Sequence, residues 1–224
     1  MPQRTLRSSI LCLLLCFTQE AVMAQTSEPI PLPAPAVTGS QSLEVLLQQR
    51  RSIREYPDTA LSLAQVGQLL WAAQGITHAA GYRTAPSAGA LYPLELYVVA
   101  PHVTGLPQGI YHYQPRGHTL LKIAPGDQRE ALAEAALYQS SVEQAAAVIV
   151  FTAVYARTEK KYGQRAERYV HIEVGHAAEN LFLQVESLGL ATVVVGAFHD
   201  EEVSRVLHLP ADHAPLLLMP VGHK

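Results

Sequence analysis

An α+β domain, with helices flanking a mixed, mainly antiparallel sheet, is the fold class this sequence predicts, and three observations predict it. Two short runs rich in β-branched and apolar residues, Leu94–Ala100 and Ala145–Val154, read as strands suited to a pleated, buried surface. Gly109–Tyr113 and His118–Ile123 flank Gln114-Pro115-Arg116-Gly117 and read as a β-hairpin, which brings antiparallel pairing into the sheet. Val170, Val174, Ala177, Ala178, Leu181 and Val185 form an apolar stripe through a segment from about Arg165 to Leu188, and Gly189 stops it, which predicts one long central helix. At 224 residues, 49% hydrophobic and 16% charged, the chain can bury a full core and is most simply one domain.

Taken in order, the chain opens on Arg4 and Arg7, an unbroken apolar run Ile10–Phe17 and small or apolar residues at Val22-Met23-Ala24. This is the pattern of a cleaved export signal over residues 1–24 and predicts a periplasmic product. The apolar run is shorter than the roughly 20 residues a membrane span needs. Both cysteines, Cys12 and Cys16, leave with this leader, so neither a disulfide nor a cysteine-ligated metal is expected in the product. Residues 25–41 carry Pro29, Pro31, Pro33 and Pro35 and predict an extended linker, with the domain proper over 42–224.

Within that domain, Ser42 is placed to cap a helix over Leu43–Gln49, and Ser62-Leu63-Ala64-Gln65 is a capping box ahead of an amphipathic helix that ends at Gly75. Asp127 is expected to cap a helix reaching Tyr138. Arg157–Gly163 reads as a polar segment after a buried strand, and Leu190–Val195 as another buried strand. A short helix over Asp200–Leu207 and a last strand over Pro215–Val221 complete the set.

Composition and motifs exclude several function classes. A formal charge of −3 and the lack of a Lys/Arg run give no electrostatic footprint for nucleic acid. Neither GxGxxG nor GxxxxGK occurs, so a Rossmann dinucleotide site or a P-loop has no local support. His171 and His176 stand about 140° apart around a helix, and HExxH is absent, so no protein-bound metal is expected; His176 and Glu179 are expected to form a polar pair. Ser87 lacks the Gly-x-Ser-x-Gly elbow of a serine hydrolase.

Two stretches invite a functional reading. Arg50-Arg51-Ser52-Ile53-Arg54 sets three guanidinium groups and a hydroxyl within five residues, the donor set of an anion site or else a solvated turn. Ser87-Ala88-Gly89-Ala90, between Pro86 and Leu91-Tyr92-Pro93, leaves backbone N–H and C=O groups uncovered. That suits either a flat ligand that must approach the main chain or an ordinary turn before a strand.

Together with the helix Glu173–Leu181, the Val195-Gly196-Ala197-Phe198 turn and the closing Pro220-Val221-Gly222, these stretches resemble, in order and spacing, the FMN-dependent nitroreductase family. The branch they resemble is that of the SagB-type dehydrogenases, which includes azoline oxidases; the resemblance covers roughly residues 43–224. It implies a nitroreductase-like fold, FMN as cofactor, a long helix at the interface of a homodimer, and small-molecule electron donors and acceptors. It implies further that Arg50, Ser52 and Arg54 hold the FMN phosphate and that Pro86, Ser87, Ala88 and Gly89 lie along the ribityl chain and ring edge. Gly196 and Ala197 would direct N–H groups at flavin N5 and O4, and Lys161 and Tyr162 would be the pair that removes a substrate proton. Small residues at Gly175 and Ala177 are expected to admit a neighbouring backbone across a two-fold axis. Export sets the expected substrate apart from peptide azolines, and a non-catalytic flavin- or ligand-binding periplasmic protein is the alternative reading.

Overall fold

The structure, a computed structural model, describes residues 28–224; the expected leader over 1–24 lies outside the described residues. In chain order the elements are β1 (Ile30–Pro31), α1 (Leu43–Gln49), β2 (Leu61–Ser62), α2 (Leu63–Gln74), β3 (Leu94–Ala100), β4 (Val103–Thr104), β5 (Gly109–Gln114) and β6 (Thr119–Pro125). There follow α3 (Arg129–Ala135), α4 (Ser140–Glu143), β7 (Ala147–Ala153), α5 (Tyr155–Tyr162), α6 (Ala166–Ser187), β8 (Leu190–Thr192), α7 (Asp200–Val206) and β9 (Ala214–His223). Seven strands form one sheet in the order β1-β6-β5-β3-β7-β9-β8, and every pairing in it is antiparallel. The described parallel pair is the short β2–β4 ladder beside it.

Period-2 alternation explains why β3 and β7 read as near-continuous apolar runs, because both faces of the sheet are covered. Leu94, Leu96, Val98, Ile149 and Phe151 point to one face, where Val66, Leu69, Leu70 and Ala73 of α2 and Val170, Ala177, Leu181 and Val185 of α6 close over them. Tyr97, Val99, Val148 and Val150 point to the other, under Leu132 of α3, Val142 of α4 and Val203 of α7. The expected capping box is formed at α2, where Gln65 N donates to Ser62 Oγ at 3.1 Å and the Ser62 amide donates to Gln65 Oε1 at 2.8 Å. The long helix ends at Gly189, whose φ of +67° is the left-handed conformation that closes a helix.

Four expectations differ from the structure. The segment expected as a free linker is extended but docked, with Ile30 and Pro31 paired to Leu120 and Thr119 of β6. Leu32 is buried, and Gln68 holds Ala36 through both its backbone groups. Proline is tolerated there because β1 is an edge strand. Arg157–Gly163 is largely helical as α5, its exposed polar face having hidden the inward Tyr155, Thr158 and Tyr162. Helix α3 ends short of Tyr138, since Leu137 and Tyr138 both take positive φ of 58°. Ala177 is a fully buried core residue rather than an interface residue, whereas Gly175 is exposed, with nothing within 4 Å of an added Cβ.

Candidate functional site

The arginine segment is fastened across the ends of β8 and β9. Ile53 N donates to Thr192 O at 2.9 Å, and the Tyr56 hydroxyl lies 2.9 Å from Ile53 O and 3.3 Å from Pro220 O, an oxygen that also accepts from Thr192 Oγ1 at 2.7 Å. Gly222 is required for this closure, because an added Cβ would stand 2.5 Å from Tyr56 Cβ. The three arginines then diverge. Arg51 caps the end of α1 by donating to Gln48 O at 3.0 Å and Arg50 O at 2.7 Å, and Arg50 lies 5.0 Å over the Phe182 ring. Ser52 and Arg54 are exposed, and among the described residues no hydrogen bond or ion pair engages either side chain.

Gly196 and Ala197 lie on the same edge. Val195 exchanges both backbone hydrogen bonds with Leu218 at 2.9 Å, and Thr192 pairs with Val221, so the stretch between them is extended and in register with β9. Four extended residues carry the chain about 13 Å from Thr192, where the arginine segment is tied, to Gly196. Gly196 and Ala197 are exposed, and their N–H groups donate to nothing among the described residues.

A second group forms around the Arg83–Pro93 loop. Gly89, Ala90 and Tyr92 all take left-handed φ, of 64°, 54° and 47°, which is unfavourable for the two non-glycine residues and demands fixed partners. Those partners are present. Tyr92 N donates to Ser87 Oγ at 2.9 Å, Arg83 N donates to the Tyr92 hydroxyl at 3.2 Å, and Arg157 Nη1 donates to Tyr92 O at 3.0 Å. The Arg83 guanidinium stacks 4.6 Å over the Tyr92 ring and donates to Gln74 Oε1 at 2.7 Å. The heads of Lys161 and Tyr162 converge on Gly89, each 3.0 Å from the point a Cβ would occupy there. Beneath the loop lies Glu173 of α6, which is 2% exposed and whose Oε1 has no hydrogen-bond partner among the described residues. Burial pushes that carboxyl up to about 7, against the opposing pull of Ser87 and Arg83.

The structure thus brings Lys161 and Tyr162 to the loop, and Arg50–Arg54 to the edge that carries Gly196 and Ala197. No hydrogen bond or ion pair among the described residues joins these two groups. Residues 47–223 match the Nitroreductase family profile. This chain belongs to the nitroreductase family.

As a nitroreductase-family chain it is 47% identical to a candidate nitroreductase of Methanocaldococcus jannaschii over 81% of its own length and 91% of that protein's. A crystal structure of a candidate nitroreductase from Ralstonia eutropha superposes with a TM-score of 0.77 at 31% identity, covering 89% of this chain and 90% of that one. The Escherichia coli microcin synthetase McbBCD complex, with truncated pro-MccB17 bound, shares the fold at a TM-score of 0.67 and 22% identity, over 99% of this chain and 85% of that one. The chain covers 38% of a matched Anabaena variabilis nitroreductase structure and 30% of the trifolitoxin-processing protein of Rhizobium leguminosarum.

Sequence reasoning missed residues that organise the loop of this nitroreductase-family chain. Glu173 occupies a core position of the α6 stripe, one residue before Val174 and four before Ala177, so a carboxylate in an apolar register was the available signal. Arg83, Glu95, His112 and Arg157 come from four separate segments and carried no local pattern. His171 bonds the Tyr155 hydroxyl at 2.7 Å, and the pair expected between His176 and Glu179 is not formed; both are exposed.

Proposed function

We propose that this chain is an FMN-dependent oxidoreductase of the SagB-type dehydrogenase branch, acting as a homodimer with flavin sites shared between subunits. The observation that carries the reading is the edge formed by β8 and the turn after it. An anion-suited Ser52 and Arg54 stand near one end, and two main-chain N–H groups without a partner among the described residues stand about 13 Å along the strand. That donor set fits a ligand with a phosphate at one end and a planar, electron-accepting ring at the other.

Bound FMN supplies two-electron chemistry, transferring hydride through its N5. The residues of this chain do the remainder. Arg50, Ser52 and Arg54 bind the phosphate, Gly196 and Ala197 donate N–H groups to the ring, and the Pro86-Ser87-Ala88-Gly89 backbone lies against it from the partner copy. Lys161 and Tyr162, meeting at Gly89, are placed to hold or remove a proton of a small-molecule substrate. The nitroreductase membership supports the cofactor. The fold shared with the microcin synthetase complex and the match to the trifolitoxin-processing protein support the branch, and the N-terminal leader pattern supports export to the periplasm.

Purified protein is expected to be yellow and to release flavin on denaturation, and dithionite-reduced protein is expected to be reoxidised rapidly by an acceptor such as menadione. Colourless protein that takes up no added FMN sinks the cofactor reading. Bound flavin that undergoes no reversible reduction favours a binding protein instead.

The shared site requires a dimer, and α1 supports one. Leu43 and Leu47 are more than half exposed, and Leu46 of the same helix lines an open groove of about 690 Å³ between residues 34–41, α2 and α6. A Cβ added at Gly175 meets nothing within 4 Å among the described residues, so in Gly175→Leu the monomer is expected to keep its fold while dimer content and FMN occupancy fall together. Light scattering paired with the flavin-to-protein absorbance ratio checks this. A monomer that holds flavin tightly rules the shared site out.

A further inference from the structure

A cavity of about 370 Å³ lies apart from the groove beside α1 and from the edge that carries Gly196 and Ala197. It is walled by residues 76–83, by Ala90 and Tyr92, by Glu95 of β3 and by the β5–β6 turn at Gln114-Pro115-Arg116. Small-molecule sites span about 300 to 1,000 Å³, so a compact ligand is the size it admits.

Arg83 is locked into this wall. Its backbone bridges Ile76, its Nη1 donates to Gln74 Oε1 at 2.7 Å and to Leu94 O at 3.4 Å, and its guanidinium lies 4.6 Å over the Tyr92 ring. Gln74 is fully buried, and its Nε2 has no partner among the described residues. An apolar residue there would avoid the cost of burying an unpaired amide; what the amide does in this structure is fix a guanidinium.

A guanidinium has five N–H donors, two of them on each Nη and one on Nε. The two acceptors of Nη1 leave Nε and Nη2 without a hydrogen bond among the described residues, and that side-on edge is a fork matching the two oxygens of a carboxylate. The Tyr92 hydroxyl accepts the Arg83 amide at 3.2 Å and has a proton to give. Arg116 is exposed on the turn, and neither arginine joins an ion pair among the described residues. The one carboxylate of the wall, Glu95, is occupied by His112 and Arg157. We propose that this cavity binds the carboxylate of a compact organic acid, with Arg83 as the preorganised fork and Arg116 as the second cation, closing from the turn. Nothing in this assignment depends on flavin. The two sites share one loop, however, since Ala90 and Tyr92 wall the cavity and Gly89 meets Lys161 and Tyr162.

Isothermal titration calorimetry of the purified chain tests the assignment, with acetate and benzoate as probes and acetamide and benzamide as their uncharged counterparts. At least one acid is expected to bind with a dissociation constant of about 1 mM or lower, and its amide roughly tenfold more weakly. Arg116 has no partner to lose, so Arg116→Glu is expected to weaken acid binding roughly tenfold without moving the melting temperature. Arg83→Lys keeps the charge without the fork and is expected to weaken it by a similar factor; if that variant melts below wild type, Arg116→Glu decides. Failure of both acids to bind, an amide that binds as well as its acid, or acid binding untouched by Arg116→Glu overturns the inference. So does inorganic phosphate that binds more tightly than either acid and is lost in Arg116→Glu.

Discussion

Replacing Arg54 with alanine is expected to strip the protein of flavin at ordinary concentrations while leaving its fold intact. A flavin phosphate carries close to two negative charges, and Arg54 is exposed, with no hydrogen bond or ion pair to its guanidinium among the described residues. An arginine that already served a structural ion pair would have to give up that pair to bind a ligand; Arg54 does not. Losing one partner of a hydrogen-bonded charge pair that binding buries costs about 2 to 5 kcal/mol, which is roughly 30-fold to several thousand-fold in affinity. Arg51 is the internal control, because its guanidinium is spent on the carbonyls that end α1. Arg51→Ala should therefore fray α1 and leave FMN affinity within a few-fold of wild type. Riboflavin, lacking the phosphate, should bind wild type far more weakly than FMN and should not distinguish wild type from Arg54→Ala. Fluorescence-quenching titrations that return equal affinities of the wild type for riboflavin and FMN would show that these arginines do not serve a phosphate.

The main elements of this fold were legible because local chemistry and tertiary environment agree in them. Strand β3 reads from its β-branched and aromatic composition, α2 from its capping box, and the end of α6 from Gly189. The segment now seen as α5 was not legible. Its polar residues outnumber the inward ones, and only packing against α6 makes it a helix rather than a turn. The docked strand β1 was hidden for a related reason, since its prolines signal a linker and only the exposed edge of β6 gives Ile30 and Leu32 a place to go. For the candidate site, the segments that could reach a ligand by backbone or exposed cations were readable as short motifs. The residues that support them, Glu173, Arg83, Glu95 and Arg157, were not, because each is defined by a neighbour distant in sequence. Gly89 shows the limit from the other side. Its permissive backbone was evident, but that Lys161 and Tyr162 crowd the space of its absent Cβ depends on where α5 packs.

Glu95→Ala is expected to be the most destabilising single change in the loop's support. Its carboxylate, 13% exposed, receives Arg157 Nη2 at 2.5 Å and contacts His112 Nε2 at 2.8 Å. His112 stacks flat on Tyr97 at 4.6 Å and is hydrogen-bonded to Gln114, while Arg157 also holds the Tyr92 carbonyl. Removing the carboxylate thus leaves a cation and an imidazole beside the buried end of β3. Breaking such a pair costs about 3 to 5 kcal/mol, and because the Arg157 side chain is 37% exposed to water the lower end applies. For a domain of this size a loss of about 3 kcal/mol lowers the melting temperature by roughly 6 to 12 °C. Burial raises the Glu95 carboxyl, but hydrogen bonds and charge from His112 and Arg157 outweigh it and hold the carboxyl below its ordinary value. The sign follows. A carboxylate whose folded pKa is depressed contributes its full stability above the unfolded value, about 4.3 for glutamate, and loses it as pH falls through the folded value. The stability gap between wild type and Glu95→Gln, read from urea unfolding, should therefore be widest near pH 7 and narrow below about pH 4. A gap of the same size at both ends of that range, or a Glu95→Ala protein that melts with the wild type, would mean that the Glu95–Arg157 contact carries no stability and that Tyr92 is held by other means.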